Sequence, residues 1–140
     1  MRKTPALAVA AIAMILGGCS GNKAEVSKPT PAVVDTVAGI DQKQVTLTKD
    51  ALERISLETG SVSSGSGDET VVPYAAVIYD AEGLAWAYVD KGNNAFIREA
   101  LEIDRIEGDT AYLTAGPAVG TKVAVVGVAE LYGAETGIGK

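Results

Sequence analysis

A chain of 140 residues makes one domain, or one domain with a tail. Apolar residues make up 47% and charged residues 21%, which suits a folded core and argues against wholesale disorder. The net charge is −6, and two of the 12 basic residues, Arg2 and Lys3, sit at the extreme N-terminus. Without that end, 10 basic residues face 18 acidic ones, so no basic stripe remains to neutralise phosphates and no nucleic-acid partner is expected.

The first 18 residues read as an address. A short basic start is followed by the apolar run ALAVAAIAMIL and then by Gly17-Gly18. The run is well short of the roughly 20 residues that span a bilayer as a helix. Leu16-Gly17-Gly18-Cys19 resembles a bacterial lipobox, in which the cysteine is diacylated and becomes the first mature residue. Cys19 is the single cysteine, so its thiol would be consumed by a thioether and no disulfide would form. The expected location is the cell envelope, lipid-anchored outside the cytoplasmic membrane. If the envelope has two membranes, Ser20 after the cysteine favours the outer one. Residues 19–40 mix polar residues with Pro29, Pro31 and Gly39 and show no period, so they read as a flexible tether.

Residues 41–132 read as an all-β domain, a small antiparallel meander closing into a barrel or sandwich with one short helix. Gln44–Thr48 alternates as a half-buried strand, and Thr48 caps a helix running from Lys49 to about Ile55. Leu57 to Val62 suits an extended segment. Ser63 to Glu69 is rich in Gly and Ser and reads as a hinge or mobile loop. Val71–Tyr79 is an apolar strand that Pro73 confines to an edge or a strand start. Leu84–Val89 places Leu84, Trp86 and Tyr88 on one face and small residues on the other. Lys91-Gly92-Asn93-Asn94 is a hairpin loop, followed by a strand from Phe96 to Ile103 with Ile97, Leu101 and Ile103 inward and Arg98 and Glu102 outward. Thr110–Thr114 and Lys122–Ala129 complete the strands. Residues 133–140 hold Gly133, Gly137 and Gly139 and read as a flexible tail.

The residues that would carry chemistry are scarce. The chain has no His and no thiol after acylation, and both methionines (Met1, Met14) fall in the leader. Soft metals therefore find no ligands in the mature chain, and no loop has the Asp spacing of a calcium site. The pairs Asp68/Glu69, Glu99/Glu102 and Glu107/Asp109 read as turn and surface residues, without the desolvation that hydrolysis by paired carboxylates requires. The glycine-rich stretches Gly116–Gly120 and Gly133–Gly139 do not lead from a strand into a helix, so they are turns rather than phosphate cradles. Neither an enzyme nor a cofactor is expected.

Val72-Pro73-Tyr74-Ala75-Ala76-Val77-Ile78-Tyr79-Asp80, then Ala85-Trp86-Ala87-Tyr88-Val89, resembles a segment of the periplasmic adaptor subunits (HlyD-like membrane-fusion proteins) of RND-type efflux pumps. The likeness continues through Phe96-Ile97-Arg98, Ile106–Asp109 and Gly116–Val123, and ends in Val126–Glu135. Upstream, Val45–Thr48 and Ile55–Val62 resemble the stretch with which many adaptors begin. The resemblance implies a truncated membrane-proximal β domain, docking on an RND-type transporter or on other adaptor subunits, with the membrane as a second partner through the lipid. Full adaptors place further domains and a long helical hairpin where this chain has only Gly60–Glu69, so a bridge across two membranes is not expected. The docking residues expected on this basis are Pro73, Tyr74, Trp86, Glu130, Leu131 and Tyr132. The alternative is a stand-alone envelope lipoprotein that binds a small ligand or an envelope component.

Overall fold

A computed structural model describes residues 30–138. The expected leader (1–18), Cys19 with its expected acylation, the tether as far as residue 29 and the last two residues lie outside the described residues. Within them the protein is mostly β, as expected, and its sheet nearly closes into a barrel.

The folded body begins earlier than residue 41. β1 (Ala32–Thr36) pairs antiparallel with β2 (Lys43–Leu47), setting Ala32 opposite Leu47 and Thr36 opposite Lys43. The end of the expected tether is therefore a strand, because Ala32 and Val34 find apolar cover that the linear composition does not reveal. α1 (Lys49–Arg54) starts where expected, with Thr48 Oγ1 accepting the Ala51 N–H at 3.2 Å.

β3 (Glu58–Ser61) and β4 (Ser63–Ser64) form one extended run divided at Val62. β3 pairs with β10 (Lys122–Val126) and β4 pairs with β5 (Thr70–Pro73), which stand at opposite ends of the strand order. This single run therefore brings the two ends of the sheet together. Val62 is the joint: its N–H bonds Thr121 O at 2.9 Å and its carbonyl accepts the Gly120 N–H at 2.8 Å. Ser63 and Ser64 of the segment expected to be a hinge are thus strand. The rest is a tight turn, closed by Gly65 N–H to Glu69 O at 2.7 Å.

The expected strand Val71–Tyr79 is broken. A 3-10 turn at Tyr74–Ala76 separates β5 from β6 (Ile78–Tyr79). Pro73 has no N–H to continue a ladder, and the Tyr74 N–H leaves the sheet to bond Asp109 O at 2.8 Å. β7 (Ala85–Asp90) pairs with the 13-residue β8 (Ala95–Glu107), whose far half pairs with β9 (Thr110–Ala115) through two register shifts. Those shifts bend β8 around the barrel. The start of β8 also pairs with β2 on the edge that its far half gives to β9.

Two cores flank the wall made by β7, β8 and β10. The barrel interior holds Val62, Val72, Ala76, Ala87, Val89, Leu101, Ala111, Leu113 and Val123. The outer core holds Val45, Leu47, Ala51, Tyr88, Phe96, Ala124, Val128 and Leu131 beneath β1, β2, α1 and α2 (Val128–Thr136). The expected alternation in β7 is real, but both of its faces are covered. Ala87 and Val89 enter the barrel and Tyr88 enters the outer core, while Leu84 lies before the strand and is exposed. α2 carries the helix through Gly133 to Thr136, so residues 133–136 are not a loose tail.

Candidate interaction surface

The six expected docking residues fall into three environments. Leu131 is 0% exposed and belongs to the outer core, so it is a packing residue; its position on α2 turns it toward the sheet. Tyr132 is half-buried against the same core, and Glu130 faces solvent. Pro73 is half-buried, packed close to Gly60, whereas Tyr74 next to it is 39% exposed. Trp86 is half-buried on the outer face of β7.

Trp86 belongs to a polar chain that runs through the outer layer. Its Nε1–H donates to Asp80 Oδ2 at 2.8 Å, and the Arg98 guanidinium lies over its ring, 4.6 Å from the centroid. Arg98 Nε is 2.9 Å from Glu135 Oε1, an ion-pair contact whose N–H axis misses the oxygen, so no aligned hydrogen bond forms. The other carboxylate oxygen accepts the Tyr88 hydroxyl at 2.5 Å. Glu135 is 5% exposed, so these two partners compensate a carboxylate that α2 carries into the protein. Burial first, and then the bond to Glu135, hold the Tyr88 phenol well above its ordinary range. Arg98, expected to point outward into solvent, is instead the bridge between Trp86 and α2.

The β6–β7 turn is organised by Asp80. Oδ1 accepts the N–H groups of Leu84 at 2.8 Å and Glu82 at 3.1 Å. Burial opposes charge on this group, but the hydrogen bonds from Trp86, Leu84 and Glu82, with Arg98 nearby, hold its carboxyl below the ordinary range. Tyr79 and Leu84, expected as parts of the two strands, are 45% and 57% exposed at this turn. Burial and the neighbouring Tyr74 hydroxyl both raise the Tyr79 phenol. The available signal was position: Tyr79 precedes Asp80 and Leu84 follows Gly83, so both flank a tight turn.

A second feature is a cleft of about 290 Å³ between the β1–β2 hairpin and the end of α2, lined by Val34, Thr36, Lys43 and Ala134–Gly137. Among the described residues no group of three or more carboxylate, His or Cys side chains is placed to hold a metal ion. No helix among them is long and apolar enough to cross a membrane. The acidic pairs divide: Glu69 and Glu107 both contact Arg105, which stacks on Tyr112 at 3.8 Å, and Glu99 pairs with Lys91 at 2.7 Å. The hydrogen bond from Arg105 leads the effects that hold the Glu69 carboxyl below its ordinary range.

No protein-family model, no curated protein and no solved structure matches this chain.

Proposed function

We propose that this chain is a non-catalytic docking subunit of the cell envelope, held near the membrane by a lipid on Cys19 and seated on an RND-type efflux transporter. The observation that supports it most is how the adaptor-like segments assemble. Val72–Asp80, Ala85–Val89, Phe96–Arg98, Ile106–Asp109 and Gly116–Val123 become successive parts of one barrel-like body. Gly60–Glu69, where full adaptors insert their other domains, supplies part of the run that joins the two ends of that sheet. The body therefore completes itself without the inserted domains. Its ionisable groups in the outer layer are engaged in holding α2 and the β6–β7 turn, a structural use.

The reading as an envelope lipoprotein with a small ligand would have to use the cleft beside α2, because the barrel interior is filled with side chains. At about 290 Å³ that cleft is at the low end for ligand pockets, which run from about 300 to 1,000 Å³.

Chemical crosslinking in native membranes tests the proposal. Recovery of a large multi-span transporter is expected, and recovery of only lipids or wall components would contradict it. For the anchor, Cys19→Ser is expected to leave the protein unprocessed or soluble, and unchanged membrane retention would remove the lipoprotein reading.

A further inference from the structure

We propose that the end of the barrel at the β6–β7 turn is the docking face, and that it takes a protein surface with an apolar centre and a basic rim. The assignment rests on the docking reading above and adds the face and the partner's chemistry to it. Tyr79 and Leu84 are exposed on either side of that turn, and Tyr74 is exposed in the 3-10 turn that precedes β6. Single exposed apolar side chains are ordinary, whereas a contiguous group rimmed by polar residues marks an interaction site. The turn that carries two of them is stiffened by three hydrogen bonds to Asp80, so little conformational freedom is lost when it is covered.

The rim of this group is acidic, and Arg98, the cation beside Asp80, is already paired with Glu135. Asp80 and Glu82 lie in the turn itself, and Asp109 is tied to Tyr74 through its backbone carbonyl. Among the described residues none of these three carboxylates has an ion-pair partner, unlike Glu69, Glu99, Asp104, Glu107 and Glu135. Residues 70–90 contain no Lys or Arg at all. A second copy would bring the same negative rim against this one, and an anionic lipid surface would be repelled in the same way. A partner face bearing Lys or Arg around an apolar socket is attracted by the rim and desolvates the tyrosines and Leu84 at the centre.

The test places a benzophenone amino acid at Leu84 in the full chain and irradiates native membranes, with Val33 and Val119, exposed elsewhere, as control positions. A protein adduct from Leu84 is expected, with Lys or Arg flanking the crosslinked site. Combining Glu82→Lys with Asp109→Lys should cut its yield about tenfold while the melting transition stays in place. Absence of the adduct, indifference to charge reversal, or crosslinking only to lipid or to a second copy would overturn the proposal. An adduct from Leu84 to a basic protein other than a transporter would keep this face and discard the pump reading. Transporter adducts from Val33 or Val119 but not Leu84 would do the reverse.

Discussion

The two cores share the wall of β7, β8 and β10 but differ in chemistry. The barrel interior is aliphatic throughout, and its contacts are non-directional. Beneath α2, by contrast, Tyr88, Arg98 and Glu135 meet within hydrogen-bonding or ion-pair distance beside apolar residues. Aliphatic packing supplies cohesion but discriminates weakly between placements of a short helix. A buried carboxylate with two fixed partners is costly to misplace, so it ties α2 to one position. The barrel supplies stability and the outer layer supplies position.

The largest effects should come from truncating each core. Leu113→Ala in the barrel and Leu131→Ala in the outer layer should each cost about 3 kcal/mol in denaturant unfolding. As members of separate clusters, they should add to within about 0.5 kcal/mol in the double variant. Strong non-additivity would mean that the two cores act as one.

Next comes the polar fastening. Glu135→Gln weakens the contact with Arg98 and should cost about 2 kcal/mol. Tyr88→Phe should cost about 1 kcal/mol, and the pair should couple by about 1 kcal/mol because both changes act on one hydrogen bond. Additivity here would remove the claim that the group works as a unit. Gly127→Ala should cost about 1–2 kcal/mol, because φ is +83° and a Cβ would lie 3.0 Å from Ile55 Cδ1.

Much of this was legible in the chain. The Thr48 cap and the Lys91–Asn94 loop depend on neighbours in sequence, and the structure has each where it was read. Closure of the barrel at Val62 was not legible, because its partners Gly120 and Thr121 are nearly 60 positions away. α2 was misread as a tail because its glycines dominate the local pattern, while the contacts that hold Glu135 come from Tyr88 and Arg98. The proposed surface was half visible: Tyr74 was singled out, whereas Tyr79 and Leu84 were read only as parts of strands. Leu131 was misassigned for the same reason as α2, since its burial is set by distant strands.

Smaller effects should appear on acidification. Glu69 and Asp80 have folded values below their ordinary 4.5 and 3.8, so each contributes stability above those values and loses it as pH falls through its lower folded value. Thermal melts from pH 7 to 3 should show this decline, and Asp80→Asn should make it shallower. The smallest thermodynamic change is expected for Arg105→Ala, whose ion pairs are exposed. Its effect should appear as faster proteolysis near Gly65–Asp68, the turn that Glu69 helps to fasten.

The most direct measurement is reciprocal purification from native membranes in mild detergent, with this chain and the proposed transporter partner each tagged in turn. The account predicts that both retrieve a stable complex in a fixed ratio, diminished when Glu82 and Asp109 are reversed in charge. Retrieval of this chain alone in both directions would contradict it.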